Sequence, residues 1–149
     1  MIDPWTFDLA EEFSAPDGEY KIKYENVHEM AQGSPLTGEC YLWKKGKKIL
    51  INKNCAGPPV WSKDSRYFVV PIWKKLFLKG LWQKIAMVDI EKENIKYSKS
   101  NYEVLYLIKF ENGTLELINS PVFQPKAINF NIQEIEFENE ERLKFIHQY

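Results

Sequence analysis

The chain has 149 residues, the size of one domain, and a single core of that size buries roughly 70% of the surface its unfolded chain would expose. With 28% charged residues, 44% in the hydrophobic set and 15% aromatics, it is too rich in large apolar side chains for a disordered segment and too polar for a membrane span. Its formal charge is −1, no window approaches the roughly 18 apolar residues of a membrane helix, and Asp3 stands where a signal peptide carries Lys or Arg, so a cytoplasmic protein without a membrane partner is expected.

Residues 1–13 place Trp5, Phe7, Leu9 and Phe13 among acids, the pattern of an arm that docks through aromatics. Ser14-Ala15-Pro16-Asp17-Gly18 follows and turns the chain tightly, because Pro fixes φ, Asp accepts backbone hydrogen bonds and Gly supplies positive φ. Tyr20, Ile22 and Tyr24 alternate with Lys21, Lys23 and Glu25 as a half-buried strand, and residues 26–38, with Gly33, Pro35 and Gly38, read as a long loop. Glu39 to Trp43 and Ile49 to Ile51 flank a lysine-rich hairpin tip at Lys44-Lys45-Gly46-Lys47-Lys48. Cys40 and Cys55, fifteen positions apart, are expected to be reduced thiols in or near the core.

The breaker Asn52 to Pro59 precedes Val60 to Tyr67 and a strand Phe68-Val69-Val70 that ends near Pro71. From Gln83 to Ile90 both faces are apolar, Ile85 and Met87 on one and Ala86, Val88 and Ile90 on the other, which marks a central strand covered on both sides. A turn at Glu91 to Asn94 leads to a short strand at Ile95 to Tyr97. Tyr102 to Phe110 and Thr114 to Ile118 around Asn112-Gly113 form the clearest hairpin, since Asn-Gly suits a type I′ turn. Ser120 to Pro125 breaks the pattern, Ile128, Phe130, Ile132, Ile135 and Phe137 give a last alternating segment, and Leu143, Phe145 and Ile146 behind an Asn139 cap predict a short helix over 139–149. The expected architecture is one all-β domain over 1–149 of antiparallel meanders, as an open curled sheet or sandwich with that terminal helix.

Two stretches echo each other: Ser14-x-x-Asp17-Gly18-x-Tyr20 and Ser62-x-Asp64-Ser65-x-Tyr67, with the tyrosines 47 positions apart. Trp61-Ser62-Lys63-Asp64-Ser65-Arg66-Tyr67-Phe68 resembles the W-S-P-D-G repeat of TolB-type and WD40-like β-propellers, and Ser14 to Gly18 is a looser copy with Ala15 as an insertion. A short chain of this kind also resembles small bacterial proteins of unassigned activity. The resemblance implies blade-like meanders, with Ser62, Asp64 and Ser65 bonding the turn backbone, and no particular chemistry. A closed propeller needs at least four blades of roughly 40–50 residues, more than the chain supplies.

Charge is strongly segregated: residues 1–40 carry −7, residues 41–90 carry +9 and residues 91–149 carry −3. Trp43, Trp61, Trp73 and Trp82 all fall in the basic third. Cations interleaved with aromatic faces suit an acidic protein surface, or a nucleic-acid strand bound through residues 41–90. Catalytic patterns are weak. His28-Glu29-Met30-Ala31-Gln32 matches only the start of a zinc-hydrolase H-E-x-x-H signature, because Gln32 replaces the second histidine, and no phosphate-binding glycine loop occurs. The chain therefore reads as a non-enzymatic protein-binding domain without metal or cofactor, of which an immunity-type inhibitor of one cognate protein is an example. Its candidate binding residues are Trp73, Lys74, Lys75, Phe77 and Trp82, around the apolar insertion Leu76 to Gly80. The alternatives are the nucleic-acid module and a hydrolase built on the His28-Glu29 loop.

Overall fold

Alternating apolar and polar residues turn most of the chain into strands, and left-handed residues at the turns set where they reverse. The structure, a computed structural model, describes residues 2–147. Its strands are β1 (Phe13–Ser14), β2 (Lys21–Glu29), β3 (Leu36–Lys44), β4 (Lys47–Cys55), β5 (Val60–Trp61), β6 (Tyr67–Leu76) and β7 (Gly80–Asp89). They continue as β8 (Asn94–Ser98), β9 (Leu105–Glu111), β10 (Thr114–Asn119), β11 (Lys126–Asn131), β12 (Phe137–Arg142) and β13 (Lys144–His147). Among the described residues the only helical pieces are 3-10 turns at Phe7–Leu9 and Ile132–Glu134.

Ten strands form one sheet in the order β1-β2-β3-β4-β6-β7-β8-β12, with β5 beside β6 and β13 beside β4; β11-β10-β9 form a second sheet. All ladders between strands are antiparallel. The sheets are open, and this overturns the propeller resemblance: among the described residues no ring of blades closes. What survives is local. In both echoed turns a backbone N–H reaches the tyrosine carbonyl, Ala15 to Tyr20 at 2.9 Å and Ser62 to Tyr67 at 2.8 Å. Asp17 and Asp64 each accept from the N–H two residues on, at 2.9 and 3.1 Å. Ala15, rather than Ser14, is thus the counterpart of Ser62, and there is no insertion. Ser65 occupies the glycine position at φ 63°, matching Gly18 at 77°. The Ser62 hydroxyl accepts from the Tyr67 N–H at 3.0 Å and donates to Asp64 at 2.7 Å.

β7 is covered on both sides as its pattern predicts. Ala86 and Val88 join Ile22, Leu42, Phe68 and Val70 in one core, while Ile85 joins Val69, Leu105, Leu107, Leu115 and Leu117 in another, beneath the second sheet. The Asn112-Gly113 hairpin also forms, with both φ angles positive (51° and 74°). Cys40 and Cys55 are free thiols inside the first core, and burial pushes the Cys55 thiol up.

Three expectations fail for identifiable reasons. The loop over 26–38 shrinks, because Asn26 takes a left-handed bulge (φ 54°) and β2 runs on to Glu29, paired with β3. Gly38 is there to let strands approach: a Cβ on it would meet Val27 Cγ2 at 3.0 Å and the Glu25 carbonyl at 3.2 Å. Nor does Pro71 end its strand. Its carbonyl accepts from Ala56 N–H at 2.8 Å, so its nitrogen also faces the break between β4 and β5, where no ladder donor is needed.

The helix over 139–149 is replaced by strands β12 and β13, residues 148 and 149 lying outside the described residues. The two strands pair with β8 and β4 respectively, and Leu143 between them enters the first core. Open edges on β8 and β4 offer the backbone hydrogen bonds that outweigh a local helical spacing. The N-terminal arm docks through Phe7, which is fully buried 4.6 Å from the Tyr24 ring, and through Pro4, whose carbonyl accepts from Leu36 N–H.

Candidate functional site

The hairpin joining β6 to β7 closes Leu76 onto Gly80 across Phe77, Leu78 and Lys79. Lys79 N–H donates to the Leu76 carbonyl at 3.1 Å, and the reversal needs positive φ at Leu78 (62°) and Gly80 (77°). Glycine is at home in that region, whereas a leucine there costs about 1–2 kcal/mol. Phe77 and Leu78 are 88% and 89% exposed, so neither recovers that cost by packing.

Behind the tip lies a cleft of about 560 Å³ lined by Trp5, Pro35, Trp73, Leu81, Trp82 and Phe123, among others. Its walls come from separate parts of the chain. Trp82 is held by its indole N–H on the Lys79 carbonyl (2.9 Å), and Trp5 by its own on the Gly33 carbonyl (3.0 Å). The opposite wall is the loop after β10. Ser120, in a left-handed conformation, donates its hydroxyl to Glu103 at 2.6 Å and its N–H to the Val104 carbonyl at 2.8 Å, leaving Val122 and Phe123 exposed. Gln83, fully buried, ties both walls together. Its side-chain oxygen accepts from Leu105 N–H at 2.7 Å, and its backbone exchanges two 2.7 Å bonds with Tyr102.

Of the five residues singled out by sequence, Trp73 and Trp82 meet in the cleft and Phe77 stands at the tip. Lys74 and Lys75 are exposed, and line instead a more polar hollow with Asn52, Lys84, Tyr97 and Glu138, where β4 and β6 part after their single pairing at Cys55 and Ile72. Sequence reasoning missed Trp5 and the Val122-Phe123 pair. The signal for the latter was present, since two apolar residues between Pro121 and Pro125 sit in a turn that cannot bury them.

Much of the basic third is engaged within the fold. Lys48 pairs with Glu25 at 2.8 Å and lies 4.1 Å from the Tyr41 ring centroid. The Glu25 bond, the larger cause, outweighs desolvation and sets the Lys48 ammonium above the usual lysine range. Lys44 lies over the Tyr20 ring at 4.8 Å, and Arg66 binds Asp89 and Glu91. Buried Lys84 donates to the Ser98 and Lys99 carbonyls and to Glu138. The −7 and −3 segments thus supply Glu25 and Glu138 to the +9 segment, each ion pair reaching across one intervening strand, β3 for Glu25 with Lys48 and β8 for Glu138 with Lys84.

His28 and Glu29 lie at the end of β2 as exposed residues rather than in a loop; His28 Nδ1 contacts the Asn26 carbonyl at 2.8 Å and Glu29 accepts from Gly33 N–H at 3.4 Å. Among the described residues no three His, Cys, Asp or Glu side chains converge as a metal site, and no helix is long and apolar enough to cross a membrane. No family model matches the chain, and neither the curated proteins nor the solved structures include a match to it.

Proposed function

We propose that the chain is a non-enzymatic, cytoplasmic protein-binding domain that engages its partner with the β6–β7 hairpin end. The carrying observation is Leu78, which combines an unfavourable backbone conformation with nearly complete exposure. Folding alone gives no reason to keep such a residue, and strain of this kind concentrates at binding sites. Phe77 and Leu78 supply apolar anchors, the aromatic cleft supplies a socket, and Lys74, Lys75 and Lys79 supply a cationic rim. The complementary partner is a protein surface with an apolar depression and acidic margins. A dedicated inhibitor of one cognate protein, in the manner of an immunity protein, needs no more than this.

Photocrosslinking in the native cell tests the proposal. A benzophenone side chain at position 77 should yield one dominant protein adduct that is absent when the probe is moved to Lys53, and Leu78→Ser should weaken binding of the identified protein roughly thirtyfold or more. Adducts dominated by nucleic acid or lipid, equal yields from both positions, or unchanged affinity in the Leu78 variant would overturn it.

A further inference from the structure

The second sheet ends at β11, whose register against β10 runs without a bulge from Thr114 opposite Asn131 to Asn119 opposite Lys126. Just beyond, Ile132 N–H donates to the Gly113 carbonyl at 2.7 Å. In an antiparallel ladder the direction of the backbone groups alternates, so residues 126, 128 and 130 face β10 as Ile132 does. Ala127, Asn129 and Asn131 consequently turn their N–H and C=O groups outward, and no described group bonds to them.

Exposed edges are normally guarded by shortness, bulges, proline or charge. β1 has two residues, and β12 carries a register shift together with Glu138, Glu140 and Glu141. β11 has none of these safeguards beyond Lys126 at its start. Ala127, Asn129 and Asn131 are exposed and uncharged, while Ile128 and Phe130 are held against the second core and keep the strand in place.

We infer that this edge pairs with the same edge of a second copy of the chain, about a twofold axis through Asn129. In that register each Asn129 faces its counterpart and each Ala127 faces the partner's Asn131, giving about six intermolecular backbone hydrogen bonds and using every outward group. Shifting the axis to residue 128 or 130 leaves only about four. Lys126 falls opposite the partner's Ile132, so no like charges meet. The outward groups are thus self-complementary, and the absence of charge beside them gives no selectivity for a foreign strand. The product is one continuous sheet, β9-β10-β11 followed by its symmetry mate, an isologous dimer.

Sedimentation equilibrium of the full chain from micromolar to millimolar concentration tests the pairing. The mass should rise from 17.6 kDa toward twice that value. Asn129→Lys sets two ammonium groups across the axis, and Asn129→Pro deletes an N–H that points away from β10. Each should weaken association by at least about tenfold with an unchanged circular dichroism spectrum and Tm. A short bis-maleimide should crosslink the dimer of Asn129→Cys, whose Cα pair lies roughly 5.5 Å apart across the axis, whereas Asn112→Cys should not be crosslinked. A wild-type mass that stays at one chain throughout, association untouched by both Asn129→Lys and Asn129→Pro, or a dimer that the Asn129→Cys variant fails to trap would overturn the inference.

Discussion

Asp17 donates its backbone N–H to the Ser65 hydroxyl at 3.0 Å, across 48 positions of sequence. The contact joins the two echoed turns side by side, and the Trp61 indole N–H adds a second tie to the Phe13 carbonyl at 3.0 Å. Each turn opens a meander of one two-residue strand and three longer ones, β1–β4 and β5–β8, so this seam aligns the halves of the large sheet where β4 and β6 share only one residue pair.

Ser65→Ala should therefore destabilise the protein by about 1–2 kcal/mol, through loss of the hydrogen bond to Asp17 with a Cβ still held at positive φ. Ser65→Gly loses the same bond but removes the left-handed penalty, and should cost less. Urea denaturation of the two variants gives the comparison.

The second turn also sets an acid limit on stability. Burial pushes the Asp89 carboxyl up, but the Arg66 guanidinium and the N–H groups of Lys92 and Glu91 outweigh it and hold the group below the usual range. The Ser62 hydroxyl and the Arg66 N–H likewise hold Asp64 down. Both carboxyls are depressed on folding, so their contribution is complete above the unfolded value of about 3.9 and is lost as pH falls through the folded values below it. Stability measured by urea melts should drop below about pH 4, and Asp89→Asn should be less stable at neutral pH with a shallower acid slope.

Gly57 tests how firmly the N-terminal arm belongs to the fold. A Cβ at this position would lie 2.8 Å from the Phe7 ring, which is wholly buried and already in contact with Tyr24. Gly57→Ala should cost about 1–3 kcal/mol by overpacking, and Phe7→Ala about 3–5 kcal/mol by opening a cavity. The double variant should lose less than the sum, since the cavity admits the added methyl. A thermal-melt cycle showing full additivity would contradict this contact.

Leu78→Gly is expected to raise stability by about 1 kcal/mol, because glycine accepts the positive φ without penalty and no buried contact is lost. The same substitution should weaken partner binding. A gain in Tm coupled to a loss in affinity is the behaviour of a residue retained for its surface role.

Much of the local structure was legible from the residues themselves. Apolar residues on both faces of β7 foretold a strand covered on both sides, and Asn112-Gly113 foretold a tight hairpin, since side-chain direction and positive φ are decided within a few residues. The hairpin end was legible in a weaker sense: Leu76 to Gly80 stood out as apolar without need, but its companions Trp5 and Phe123 enter from segments distant in sequence, which no spacing reveals.

By itself, then, the sequence determined the all-β character, the main turns and the segregation of charge, all of which follow from short-range sterics and composition. Only the tertiary structure decided which edges those strands fill. Residues 139–147 carry a helical spacing yet lie extended, because β8 and β4 present unpaired backbone groups that long-range pairing satisfies. The propeller resemblance failed for the same reason: a turn is encoded locally, whereas ring closure depends on which distant strands find one another.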